Sequence, residues 1–174
     1  MFAVTKRDGG QALVEFALVI PIFLLILFAI IQLGLLFSGQ NSLVAAVRET
    51  ARYAAPYRVV DSSGASTTCI TVLGKLGDAL ASNPLTANPG AIDYSPGETS
   101  VTYTWLVDPD GTYFVQVTVK GAYEFPLYVP LVGNFLDGMD GVSDSKLRMS
   151  AQEEMRIEND PLASSSSTYT CPVP

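Results

Sequence analysis

Phe16 to Phe37 reads FALVIPIFLLILFAIIQLGLLF, 22 residues without a charge. A helix needs about 20 predominantly apolar residues to cross a bilayer core. A helix buried in a soluble domain normally keeps a polar stripe, whereas this run is apolar around its circumference. It therefore predicts a transmembrane segment over about 16–37. Pro21 lies inside the run and removes one backbone donor, which predicts a kink or a local loosening. A cleaved secretory signal has an apolar core of only about 7–15 residues closed by small residues, and this run is longer and lacks that ending. Lys6 and Arg7 stand ahead of it. The positive-inside rule then puts the N-terminus in the cytoplasm and residues beyond about Gly39 outside the cytoplasmic membrane, in a single-pass arrangement.

The rest of the 174-residue chain is acidic. Net charge is −7, but residues 1–55 hold four basic and three acidic side chains, while residues 56–174 hold six and fourteen. An acidic outer part argues against nucleic acid as a partner, since phosphate binding needs a basic surface. Histidine is absent. That excludes a Ser-His-Asp triad, a Cys-His dyad and His-ligated zinc or haem within this chain. Two cysteines are too few for a Cys₄ metal site or an iron–sulfur cluster. No catalytic residue, cofactor or metal is expected. The mean hydropathy of +0.30 is carried by the N-terminal run.

Glu15 sits at the entrance of that run, and a carboxylate near hydrocarbon is a functional candidate by default. The alternative reading is an interfacial side chain that reaches the headgroups. Its context is Gly9-Gly10-Gln11-Ala12-Leu13-Val14-Glu15-Phe16. This stretch looks like a type IV prepilin processing site, and it resembles the TadE-like family of pilin-like proteins from tight-adherence (Flp) pilus systems. Arg48-Glu49-Thr50-Ala51-Arg52-Tyr53-Ala54-Ala55 is similar to that family's A-R-E-G-A-R-Y-A-A helix end, with Val47 and Thr50 where Ala and Gly are common. Phe125-Pro126-Leu127 and Ser150 to Glu158 look like its F-x-P-L and A-S-A-T-M-R-x-E endings, with Gln152-Glu153-Glu154 departing from the usual small residues. Residues 56–111 match only in length and texture.

The resemblance implies a short basic leader, residues 1–10, removed by a prepilin peptidase, a membrane aspartyl enzyme, between Gly10 and Gln11. Glu15 becomes the fifth mature residue and Phe16 the aromatic after it. It also implies that Glu15 meets the new N-terminal amine of a neighbouring subunit, offsetting the burial of both charges. The expected partners are the lipid bilayer, the peptidase, other pilin subunits and a pilus assembly platform. Gly9 and Gly10, read alone, are a flexible lead-in that leaves the bond accessible.

Beyond Ser38-Gly39-Gln40-Asn41 the helical pattern resumes through Leu43, Val47, Ala51 and either Ala54 or Ala55, and Pro56 stops it. Unbroken from Gln11 to Ala55, such a helix is about 67 Å long; Gly39 could instead split it. Gly34-x-x-x-Ser38 permits a close helix neighbour. Asp61–Thr68 reads as loop, Cys69–Ala81 as a short helix weakened by Gly74 and Gly77, and Asn83–Gly97 as an irregular connection. Thr99–Val107 and Thr112–Lys120 alternate around Asp108-Pro-Asp-Gly111 and predict a hairpin, with Trp105, Tyr103 and Tyr113 as its packing. Val132–Ser145 reads as loop. Ser145–Glu158 reads as a third strand, with a helix as the alternative. The tail 161–174 is Ser-rich and expected to be poorly ordered except at Cys171. Cys69 and Cys171, both outside the membrane, form the expected disulfide, with two free thiols as the alternative.

Ser143-Asp-Ser-Lys146 matches S-x-x-K but lacks its companion motifs. Asp137, Asp140 and Asp144 lack the spacing of a calcium loop and read as a solvated acidic loop. The expected fold is α+β: a long N-terminal helix (11–55) packed on a small three-stranded antiparallel sheet within an extracytoplasmic domain (56–160). The function this implies is a minor pilin or pseudopilin that primes, caps or joins a pilus. The alternative is an uncleaved, single-pass anchored adhesion or binding module.

Overall fold

The computed structural model describes residues 9–56, 62–138, 144–157 and 168–172. Helix α1 (Gly9–Ala54) runs for 46 residues through both Pro21 and Gly39. At 1.5 Å per residue it is about 69 Å long. Its buried positions begin only at Gln32 and continue through Leu36, Leu43, Ala46, Val47, Thr50, Ala51 and Ala54. With Gly39, which is also buried, they recur at the three- and four-residue spacings of one helix face, so they form one stripe. That stripe packs on helix α2 (Ser62–Ala81) and on a sheet of strands β1 (Ser100–Val107), β2 (Tyr113–Pro126), β3 (Lys146–Ile157) and β4 (Thr168–Thr170). Helix α3 (Pro130–Asp137) lies between β2 and β3 in sequence and packs on α1 and β3.

The sheet is antiparallel in the order β3-β2-β1-β4. The hairpin register pairs Val107 with Tyr113 and Trp105 with Val115. Its turn is closed by Asp108 N–H on Thr112 O (2.8 Å) and Gly111 N–H on Asp108 O (2.9 Å). Gly111 has φ +84°, a conformation that glycine adopts at little cost. The face of β1 and β2 toward the helices carries Val101, Tyr103, Val115, Val117, Val119, Tyr123 and Phe125, all buried. Two glycines set how closely α1 lies on it. A Cβ on Gly39 would fall 2.6 Å from Phe125 Cε2, and one on Gly121 would fall 3.0 Å from Val47 Cγ2. Gly39 therefore does not split the helix; it is the seat of the Phe125 ring.

Four expectations need correcting. The sheet has four strands rather than three, because Thr168–Thr170 adds an edge to β1 with Tyr169 opposite Tyr103. The added strand is anchored by Cys171, whose N–H donates to Val101 O (2.8 Å), and three residues of tail carry little strand signal without that anchor. Helix α2 starts at Ser62, inside the Ser/Thr stretch read as loop. Ser and Thr are only tenths of a kcal/mol poorer than other helix formers, and the docking of Cys69, Val72, Leu73, Leu76 and Leu80 outweighs that. The first part of the stretch 132–145 read as loop is helical, since α3 runs to Asp137; Pro130 at its start supplies a φ already suited to it. Finally, Gly9 and Gly10 belong to α1 rather than to a flexible lead-in, so the bond after Gly10 lies within its first turn.

Candidate functional site

The N-terminal end of α1 holds the expected processing and assembly residues. Gly10 is exposed, and a Cβ added to it would meet nothing within 4 Å. Gln11 and Glu15 are four apart and share one helix face, where Gln11 Nε2 donates to Glu15 Oε1 at 3.0 Å. A carboxylate offers about four acceptor positions, and this bond uses one of them. Phe16 follows on a different face and is 63% exposed. Around them the helix presents an uninterrupted apolar surface: Leu13 is 70% exposed, Ile22 65%, and no side chain from Gln11 to Ile31 is buried. In water that surface would be strongly unfavourable, at about 25 cal/mol per Å². Its length and composition suit a single-pass membrane anchor.

The upper half of the helix does different work. Arg48 Nε lies 3.4 Å from Glu153 Oε2 on β3, and Glu49 Oε1 lies 2.8 Å from Lys75 Nζ on α2. The hydrogen bond and charge of Glu49 raise the Lys75 pKa above its ordinary value. Ala51 and Ala54 are fully buried against the domain, and Thr50 Oγ1 donates to Ala46 O at 2.8 Å inside it. Gln40 Nε2 reaches Ser150 O at 3.1 Å. The Arg48–Ala55 segment thus acts as a clamp between helix and domain. Its small residues allow close approach and its charged residues tie α1 to both α2 and β3.

Cys69 on α2 and Cys171 after β4 are joined in a disulfide with Cα atoms 5.4 Å apart across a separation of 102 residues. Both are buried. On the opposite face of the sheet, Asp93 accepts the Ser95 N–H (2.8 Å) and faces Arg148 Nη2 (3.0 Å). The Ser95 hydrogen bonds, then the Arg148 charge, hold its carboxyl below the usual carboxylate range. Lys146 of the S-x-x-K stretch pairs with Glu124 at 2.5 Å, which also raises its pKa. Ser143 and Asp140 lie outside the described residues. Among the described residues no group of three or more Cys, Asp or Glu is placed to hold a metal ion. Trp105 packs against the core beside Val115, as hairpin packing requires.

Two residues with clear structural roles escaped the sequence reading. Gln32 is completely buried, and its Oε1 accepts the N–H groups of Tyr128 (3.1 Å) and Val129 (3.2 Å). The signal for it was present: it is the only polar side chain in the run 16–37. Gly39 had no such signal, since its use depends on a ring 86 residues away.

Residues 10–52 match the family model described as TadE-like protein, which associates this segment with tight-adherence pilus systems. The matched stretch is about a quarter of the chain and covers both halves of α1 but none of the sheet. No curated protein and no solved structure matches the chain.

Proposed function

We propose that this chain is a pilin-like minor subunit, a pseudopilin, of a tight-adherence (Flp) type IV pilus, and that a prepilin peptidase cuts it between Gly10 and Gln11. The observation that carries this reading is the lower half of α1. Apart from Gln11 and Glu15 it is apolar, and none of its side chains is buried among the described residues; its one carboxylate, Glu15, stands one turn from the proposed new terminus. Cleavage removes Lys6, Arg7 and Asp8 and creates an α-amino group on Gln11. In the bilayer the apolar surface meets lipid. In an assembly it meets the same surface of other subunits, and Glu15 meets the amine of one of them. The domain then stands on the outer side of the cytoplasmic membrane and reaches the cell surface if the subunit enters the pilus. The chain itself catalyses nothing in this scheme; the peptidase, the other pilins and the assembly platform are its partners.

The test is the mature N-terminus, read by intact mass and peptide mapping of protein from the native membrane. A start at Gln11 is expected. An intact Met1 in a host with an active prepilin peptidase overturns the processing and leaves a static, membrane-anchored binding module. Glu15→Ala separates the two further: a pilus subunit loses assembly, whereas an anchor retains its place in the bilayer.

A further inference from the structure

The free and docked parts of α1 meet at Gln32, inside the apolar run rather than at its end. Gln32 accepts two backbone N–H groups from the irregular link between β2 and α3. The second donor, Val129, precedes the first turn of α3 and has no side-chain cap of its own, so the carboxamide supplies an acceptor at that helix start. The same rim of the domain carries the Lys146–Glu124 pair, opened to solvent at 45% and 26% of the two side chains. Tyr128 projects from this rim, 60% exposed, its ring held edge-on against Phe125 with centroids 6.2 Å apart.

Irregular backbone and half-exposed charges do not lie against hydrocarbon, where no water is present to satisfy them. A span over 16–37 would carry Gln32 and the rim docked on it about 8 Å below the hydrocarbon surface, at 1.5 Å per residue. A surface at Gln32 removes that conflict. From there a core about 30 Å thick takes about 20 residues and ends at Ala12. Resting on the reading of α1 as a membrane span, we propose that the domain-side surface of the bilayer meets α1 at Gln32, and that the base of the domain lies on the lipid headgroups with Tyr128 as its interfacial anchor. The span is then 12–31. Residues 33–37 fill the interfacial layer, which accounts for an apolar run longer than the core it crosses, and Tyr128 presents the amphipathic ring that this layer favours. At the other end Glu15 lies about 4–5 Å inside hydrocarbon rather than at its edge, where a carboxylate demands a cationic partner.

Trp105 is the only tryptophan, so a Trp105→Phe background allows one reporter at a time. The full chain is inserted into vesicles of phosphatidylethanolamine and phosphatidylglycerol whose acyl chains carry bromine either close to the headgroup or close to the chain end. Leu24→Trp should lose emission chiefly to the deep bromine. Ile31→Trp and Tyr128→Trp should lose most to the shallow bromine, and Phe37→Trp little to either. Deep quenching at position 31 with shallow quenching at 37 would put the surface at Phe37 and overturn the proposal. Loss of quenching at 128 alone would overturn the anchoring role, because the base would stand clear of the lipid. No quenching at position 24 by either lipid would instead remove the membrane span itself. Positions 31 and 37 are exposed on α1, so their readout survives if Trp at 128 disturbs the base.

Discussion

The two halves of α1 share one helix and nearly nothing else. Between Gln11 and Ile31 the surface is apolar apart from the Gln11–Glu15 pair, and no side chain there is buried among the described residues; between Gln32 and Ala54 one stripe is buried, and Leu33 and Phe37 stay exposed ahead of the polar and small positions that follow. The side chains differ accordingly. The lower half uses large aliphatic and phenyl groups, which suit lipid or another helix of the same kind. The upper half places Gly39, Ala46, Ala51 and Ala54 against the domain, where small residues let the sheet and α2 come close. What differs is the solvent each half is built for, and so the same substitution should have different consequences in each.

The largest effect should come from removing the link that closes the domain around the upper half. Cys171→Ser opens a loop of 102 residues. By chain-entropy reasoning it costs about 4–5 kcal/mol, a large share of the roughly 5–15 kcal/mol that holds a small domain together. Guanidinium unfolding followed by Trp105 emission should show the fall. A protease-protected membrane fragment containing residues 12–31 should persist in the variant. Its loss would mean that the lower half depends on the domain after all.

Next in size is a matched pair. Leu43 is fully buried in the upper stripe, and Leu43→Ala should cost the domain about 3 kcal/mol. Ile22→Ala, from a 65% exposed position in the lower half, should change the same unfolding curve by less than about 0.5 kcal/mol. Equal losses would break the division at Gln32. A glycine pair sharpens it. Gly39→Ala drives a methyl into the buried Phe125 ring and should cost about 1–3 kcal/mol. Gly34→Ala, five residues earlier on the open side, meets nothing within 4 Å and should leave the domain's midpoint unchanged or slightly raised.

The sequence makes one of these halves easy to read and the other only partly so. Twenty-two uncharged residues announce a membrane helix without any tertiary information. The resumed spacing of Leu43, Val47 and Ala51 announces the docked stripe, and Asp108-Pro-Asp-Gly111 between two alternating runs fixes the hairpin. Gln11 and Glu15 are legible through the resemblance of the Gly10–Phe16 stretch to a processing site, whereas the hydrogen bond between their side chains comes from the structure. What stayed hidden depends on distant residues. Gln32 is one polar letter in an apolar word until Tyr128 and Val129 are brought to it. Gly39 reads as a helix weakness until Phe125 lands on it. β4 is three residues of a Ser-rich tail until Cys171 fixes them beside β1, and the first turns of α2 are a Ser/Thr loop until Cys69 and Leu76 dock.

The smallest effect has the opposite sign. Gly74 lies within α2 on its exposed side, and a Cβ there would meet nothing within 4 Å. Its glycine therefore serves no close approach, unlike Gly39, and only weakens the helix. Gly74→Ala should stabilise the domain by about 0.5–1 kcal/mol, partly by reducing the freedom of the unfolded chain. For a domain of this size that corresponds to a rise of several degrees in Tm, at about 4–8 °C per kcal/mol. Gly77 is half-buried but equally open, so Gly77→Ala should act in the same direction. A gain at Gly74 beside a loss at Gly39 would show that the two glycines, alike as helix weaknesses in the sequence, are separated by one fact: only Gly39 has a ring lying where its Cβ would be. No gain at Gly74 would mean that α2 is too frayed at that turn for helix propensity to register, and that its docking rests on Leu76, Leu80 and the Cys69 disulfide alone.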